Sequence, residues 1–286
     1  MASVSVIIPA HNESATIERG LRDVLAQADD GLDIEIIVVA NGCTDDTVVI
    51  AEGLVAEFAA AGVELSVYDD PEPGKTAALN FGDQCAGGDI LFYCDADIAM
   101  APGSLAAMTA ALGDPDTQLV SATQRCVPPE NRVVRGWARC YHASPYQRGD
   151  DVVHGLFGVT RAGRNRFGPF PETMADDRYL SLNFSRTERR RVPEAVIDIR
   201  YTESPRELVD QQARWVANNA DIDERFPELL ADNAPGHNAG RWPYFERPWP
   251  NLVDVACYAA VSFAARLRVL LRRDQILGRW DRARPD

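Results

Sequence analysis

Ile90-Leu91-Phe92-Tyr93-Cys94-Asp95-Ala96-Asp97 decides how this chain is read. An apolar run forms a buried strand, and the chain leaves it directly into two carboxylates. Alternate residues of a strand share a side, so Asp95 and Asp97 are placed to point the same way at a sheet's carboxyl edge. Open α/β sheets bind ligands at that edge. Neighbouring carboxylates repel unless something positive lies between them. A hard divalent cation meets that need, since it takes oxygen ligands and often holds substrate phosphates as well. Asp is also common where a strand exits into a turn, and that reading requires no metal.

The sequence on either side alternates. Val4 to Ile8 reads as a β-branched strand, and Ile17, Leu21, Val24 and Leu25 follow at helix-stripe spacing. Glu35 to Ala40 is a second strand, Thr44-Asp45-Asp46 opens a helix reaching about Ala61, and Leu65 to Tyr68 is a third strand. A helix from Lys75 to about Ala86 precedes the acidic strand; a helix from Ser104 to about Leu112 and a strand from Gln118 to Thr123 follow it. This alternation predicts a parallel, doubly wound sheet. Beyond Val127 the regularity breaks. Residues 128–175 are rich in Arg, Gly, Pro and aromatics, with Gly155 to Val159 a strand that another backbone approaches closely. Glu207 to Ala220 reads as a helix, residues 232–250 as a loop, and Leu252 to about Arg273 as a closing helix.

Composition narrows the function. The chain has 286 residues, a formal charge of −14 and a pI of about 4.7. It can bury a sizeable core, and it lacks the basic footprint of a nucleic-acid binder. Its six cysteines form no CxxC pair, which suits reduced thiols in a cytoplasmic protein. No signal peptide is legible at Met1-Ala2-Ser3, and no run of ~20 apolar residues could span a membrane. Of 29 basic residues only Lys75 is a lysine.

Three further segments carry polar residues at element ends. Pro9-Ala10-His11-Asn12-Glu13 follows the first strand and can present backbone and Glu13 to a ligand; it is equally a common turn. Asn41 follows the second strand and has donors and acceptors suited to a nucleobase edge, although Asn-Gly turns need no ligand. Pro73-Gly74-Lys75 opens a helix, where ammonium and helix dipole together favour an anion. The alternative is a solvated lysine. The GxxxxGK[ST] spacing of a nucleotide-binding P-loop is absent.

Taken in order, PAHNE, VVANGCTDDT, GKTAALN and CDAD closely resemble the family 2 glycosyltransferases with the GT-A fold. The resemblance covers residues 3 to about 112 and returns at Pro171–Leu180, similar to the family's ED-type segment, and at Gln211-Gln212-Ala213-Arg214-Trp215, similar to QxxRW. It implies a mixed, mainly parallel sheet flanked by helices, with a helical C-terminal segment. By position, residues 1–220 would form the GT-A domain, 1–127 its nucleotide-sugar half and 128–220 its acceptor and catalytic half, with 221–286 an extension.

The resemblance also implies roles. Pro9, Ala10, Glu13 and Asn41 would line the nucleoside pocket, and Lys75 would lie near the ribose or phosphates. Asp95 would contact the nucleoside diphosphate, and Asp97, with Asp95, would hold Mg²⁺ or Mn²⁺. Asp177 would be the base of an inverting transfer, Arg214 a contact to the donor diphosphate, and Asp176, Gln211 and Trp215 would face the acceptor. The donor would be a nucleotide sugar, with UDP favoured, and the acceptor a small molecule or a lipid-linked one.

Two departures stand out. The family often has two acids where this chain has Ala40-Asn41, and Asp176 replaces the usual Glu. Rival classes are a non-catalytic nucleotide-sugar-binding protein and a phosphotransferase with a nucleophilic Asp; the latter's pattern wants Thr where Ala99 stands. From Arg266 to Asp286, seven arginines face three aspartates. A basic amphipathic helix can lie on an anionic membrane, whereas an ordinary closing helix would pack on the domain.

Overall fold

The computed structural model of the chain describes residues 2–28, 31–148, 153–233 and 251–277. The aliphatic runs build the centre of a sheet as β1 (Ser3–Ala10), β2 (Asp33–Asn41), β3 (Glu64–Asp70) and β4 (Ile90–Cys94). β5 (Ala99–Met100), β6 (Leu119–Cys126), β7 (Leu156–Thr160) and β8 (Arg189–Ile199) complete it. The order is β3-β2-β1-β4-β7-β6-β8-β5. β1 pairs in parallel with β2 and β4, β2 with β3, and β6 with β8. β7 runs antiparallel between β4 and β6, and β5 antiparallel to β8. The sheet is therefore mixed.

Strand periodicity divides the core between the two faces. Val4, Val6 and Ile8 of β1, Ile36 and Val38 of β2 and Phe92 of β4 join one cluster with Ile17, Leu21, Phe58 and Leu105 from helices. Ile7, Ile37, Val39, Leu91 and Tyr93 join another with Leu79, Leu180 and Ile222. Both faces are covered, so the central strands read as continuous apolar runs. β7 fits beside β4 because position 158 is glycine: a Cβ there would overlap the Phe92 ring. The close neighbour is thus a side-chain ring and not the backbone expected at Gly155 to Val159.

The structure departs from the sequence expectation in four places. The helix after β2 is broken into Thr47–Gly53 and Val55–Ala60. Residues 128–175, expected to be irregular, contain the helix Arg132–Ala143, capped by Asn131 Oδ1 and buried through Val134, Trp137 and Ala138. β8 lay hidden behind its arginines and Pro193. Its register with β6 jumps from Ala122↔Val192 to Thr123↔Val196, which takes Pro193 out of the ladder. The loop expected at 232–250 lies almost wholly outside the described residues; Pro227–Asn233 is a helix.

The closing helix, Leu252–Ile276, packs on Arg132–Ala143 and Pro205–Arg225 through Asp254, Val261 and Ala265. A Cβ on Gly136 would stand 3.1 Å from Asp254 Oδ1, so glycine permits this close crossing. No helix among the described residues is long and apolar enough to cross a membrane.

Candidate active site

Parallel pairing brings the ends of β1, β2 and β4 to one edge. Because β7 is antiparallel, its beginning arrives there too: Leu156 pairs with Cys94, and Asp95 N–H donates to Gly155 O at 2.8 Å.

The loops after β1 and β2 are stapled together. Asn12 takes a left-handed conformation (φ 53), and its Oδ1 accepts from Thr44 N–H at 2.8 Å and Thr44 Oγ1 at 3.2 Å. Glu13 N–H donates to Thr47 Oγ1 at 2.8 Å, and Ser14 N–H to Asp45 Oδ2 at 3.1 Å. Pro9 and Ala10 are buried at this edge. Glu13 is also buried, and its Oε2 accepts from Thr16 Oγ1 at 2.7 Å. It thus braces the loop, a role its expected place in a nucleoside pocket did not include.

Asn41 is fully buried, and its Nδ2–H donates to Gly74 O at 2.6 Å. Its Oδ1 is buried without a hydrogen-bond partner. Gly42 (φ 62) presses against Pro73, where a Cβ would sit 2.8 Å from Pro73 Cβ. These contacts hold the Pro73-Gly74-Lys75 turn against the end of β2.

Lys75 is therefore delivered inward. Its Nζ lies 2.9 Å from Asp95 Oδ1 and 3.0 Å from Asp176 Oδ1, with the lysine side chain 13% exposed and Asp176 2%. Burial pulls the ammonium down, but Asp176 and Asp95 outweigh it and hold Lys75 above the ordinary lysine range. Burial pushes the Asp176 carboxyl up to about 6, against the pull of Lys75. The lysine expected near phosphates is thus found between two carboxylates, and Asp176, expected on the acceptor side, is its buried partner.

Past Cys94 the chain turns at Ala96-Asp97. Ala96 and Ile98 are buried in the core, while Asp95 and Asp97 stay partly exposed. The described residues hold no cluster of three or more His, Cys, Asp or Glu side chains arranged to hold a metal ion. A two-carboxylate turn still fits Mg²⁺ or Mn²⁺, because Mg²⁺ is usually held by one or two carboxylates together with substrate phosphates. Asp95 Oδ1 already lies on Lys75 Nζ.

Asp177 lies in the first turn of the helix Asp176–Leu182, and its side chain is 30% exposed. Its Oδ2 lies 3.2 Å from His154 Nδ1, and its Oδ1 accepts from Arg178 N–H at 2.7 Å. Burial raises this carboxyl, but the His154 hydrogen bond and the Lys75 charge pull it below the usual carboxylate range. Arg178 ties the same helix to Pro205–Arg225 through Asp223 at 2.5 Å. That long helix carries Gln211, Arg214 and Trp215. Trp215 is exposed, and its ring lies 6.0 Å from that of Tyr141. Gln211 Oε1 is buried without a hydrogen-bond partner, and Arg214 O accepts from Asn218 Nδ2 at 2.9 Å.

The sequence reading did not single out His154, which lies against Asp177. One signal was available: His154 stands immediately before a strand that had been recognised, but that strand's direction was not legible.

Residues 5–167 match the family model described as glycosyl transferase family 2. Over 97 residues the chain is 39% identical to glucosyl-3-phosphoglycerate synthase of Mycobacterium tuberculosis, covering 34% of this chain and 29% of that protein. Over 99 residues it is 36% identical to glycosyltransferase AglD of Haloferax volcanii, covering 34% of this chain and 15% of AglD. The match thus spans well under half the length of these relatives. Among solved structures, the mannosyltransferase PcManGT from Pyrobaculum calidifontis is similar with a TM-score of 0.62 and 22% identity, over 95% of this chain and 75% of that one. Glucosyl-3-phosphoglycerate synthase from Mycobacterium tuberculosis is similar with a TM-score of 0.54 and 24% identity, over 77% of this chain and 78% of that one. These structural likenesses show the GT-A fold. With the family model matching more than half of its residues, the chain belongs to glycosyl transferase family 2.

Proposed function

We propose that this protein moves a glycosyl group from a nucleoside-diphosphate sugar to an acceptor hydroxyl, with inversion at the anomeric carbon. One observation carries the reading: a single ammonium, Lys75 Nζ, touches both Asp95 and Asp176. The donor-side acid and the turn that bears Asp177 are thereby fixed one ammonium apart.

Asp177 takes the acceptor proton as that oxygen attacks C1 from the face opposite the diphosphate. Its ionised, partly exposed carboxylate suits this task. Arg214 offers a forked contact to phosphate oxygens, with Gln211 and Trp215 toward the acceptor. Asp97, assisted by Asp95, is the candidate ligand for Mg²⁺ or Mn²⁺, which when bound would neutralise charge building on the leaving diphosphate. Pro9, Ala10 and Asn41 form the nucleoside end. Related structures bind such donors: the mycobacterial synthase is in complex with Mn²⁺ and UDP-glucose, and PcManGT with GDP-Man and Mn²⁺. Residues 1–127 would then serve the donor, 128–220 the acceptor and chemistry, and 221–286 form an extension.

A second reading concerns the acceptor. Phe263 (70% exposed), Leu267, Leu270 (81%) and Leu271 lie exposed on the closing helix, with Arg266 and Arg272 exposed beside them. An apolar stripe flanked by arginines suits contact with an anionic membrane and hence a lipid-linked acceptor. Two other arginines there are already paired, Arg268 with Asp210 and Arg273 with Glu224.

The test is nucleoside-diphosphate release from UDP-glucose and GDP-mannose with Mn²⁺, together with calorimetry of UDP binding. Asp97→Asn should abolish metal-dependent binding of UDP. Asp177→Asn should bind UDP normally and release at least a hundredfold less product. A wild-type protein that binds UDP yet turns over neither donor would favour the non-catalytic reading.

A further inference from the structure

We infer that His154 is a positioning residue for Asp177: it aims the carboxylate that takes the acceptor's proton, and Gln147 and Arg191 hold it in place. The inference rests on the reading of Asp177 as the base.

The geometry fixes the imidazole at both nitrogens. Asp177 Oδ2 lies 3.2 Å from His154 Nδ1, and an ionised carboxylate can only accept, so Nδ1 carries a proton. On the other side His154 Nε2 lies 3.2 Å from Gln147 Nε2. An amide nitrogen can only donate, so His154 Nε2 accepts. Both neighbours select the same neutral tautomer, with its N–H directed at Asp177. Gln147 is itself anchored. Its backbone carbonyl accepts from Arg191 of β8, and its N–H donates to Ser144 Oγ at 3.3 Å. The Tyr146 ring stands 5.9 Å from the imidazole, at 61°.

The backbone around His154 supports the same role. Gly155 adopts φ 64, and its carbonyl accepts Asp95 N–H at 2.8 Å. His154 is thus built into the junction where β7 meets the acidic turn of β4, between the donor-side acid and Asp177. The carboxylate is held from two sides, by His154 on Oδ2 and by Arg178 N–H on Oδ1. Each oxygen keeps a lone pair for the acceptor hydroxyl. Without His154, Oδ2 would lose the imidazole N–H donor, and the carboxylate could rotate away from a proton-accepting pose. Misplacing a reacting group by about 1 Å costs roughly a hundredfold in rate.

Three variants and one spectrum test this. His154→Ala should lower kcat for UDP-glucose or GDP-mannose hydrolysis roughly a hundredfold while leaving KM for the donor within threefold. His154→Asn puts an amide N–H close to the place of Nδ1 and should recover at least tenfold of that loss; a purely structural histidine would show no such recovery. The acid limb of the kcat–pH profile should move upward in His154→Ala, because the carboxylate loses a donor that favours its charged form. Ring nitrogen-15 spectra of the wild type should show His154 protonated at Nδ1, with that signature altered in Asp177→Asn. His154→Ala turning over within threefold of wild type, with Asp177→Asn inactive, would overturn the inference while leaving Asp177 as base. Asp177→Asn at wild-type rate would instead overturn the base itself. If neither donor is hydrolysed, the glycosyl-transfer reading fails, and the nitrogen spectra alone still decide whether His154 and Asp177 are linked.

Discussion

Replacing Lys75 with methionine separates two accounts of the buried charge cluster. The usual cost of orphaning a buried charge is about 3–5 kcal/mol. Asp176 can avoid most of it by taking up a proton. Its carboxyl already sits at about 6, because burial outweighs Lys75. At pH 7 the ionised form is therefore favoured over the neutral one by only one pH unit, about 1.4 kcal/mol. That sets the most Lys75→Met can lose through Asp176 at pH 7. Asp95 is a quarter exposed on its side chain and adds about 1 kcal/mol at most. The expected loss is about 2 kcal/mol.

The pH dependence is the sharper test. A carboxyl raised on folding stabilises the fold in its neutral form; that stability is complete below about pH 4 and is lost as pH rises through the folded value. In the wild type the loss ends near 6. In Lys75→Met the folded value is higher, so the loss continues. The deficit should therefore be small at pH 5.5 and grow by about 1.4 kcal/mol per unit between pH 6 and 8. Urea unfolding at four pH values reads this directly, and adding Asp176→Asn should flatten the curve. A deficit of 3–5 kcal/mol that is already full at pH 5.5, or one that does not change between pH 6 and 8, would refute the reasoning.

Two further outcomes are expected. Burial, with help from the Arg191 charge, depresses His142 to about 4, so it is neutral in the fold and contributes stability that is complete above about pH 6.5. That contribution is lost as pH falls toward 4, up to about 3 kcal/mol, and His142→Gln should remove this part of the acid dependence of unfolding. Vesicles containing anionic phosphatidylglycerol should co-sediment the protein at low salt, and Leu270→Ser with Leu271→Ser should weaken binding roughly tenfold or more, as two buried leucines require. A wild-type protein left in the supernatant would end the membrane reading.

Residues 1–127 were legible because the pattern within each element is local. β1, β2 and β4 each bury both faces, so their apolar runs stand out, and each polar residue at a strand end reports an edge that parallel pairing makes common. The spacing of Asn41, Lys75 and Asp95 therefore carries geometry. The second half is assembled by pairings that sequence order does not announce. β7 enters antiparallel between β4 and β6, and β8 joins β6 across a bulge that hides its Pro193. Its helix Arg132–Ala143 did carry a stripe at Val134, Trp137, Ala138 and Tyr141, but the arginines and Gly136 between them concealed it.

Lys75 shows the limit most clearly. A lysine opening a helix reads as an anion site, and only the folded chain shows that the anions are already supplied by Asp95 and by Asp176, 101 residues further on. A side chain that meets a ligand can be inferred from its type and its place on an element. One that meets other side chains takes its meaning from partners the fold chooses. Asp177 entered as a candidate through its resemblance to a family segment, whereas His154, 3.2 Å away, had no such pointer.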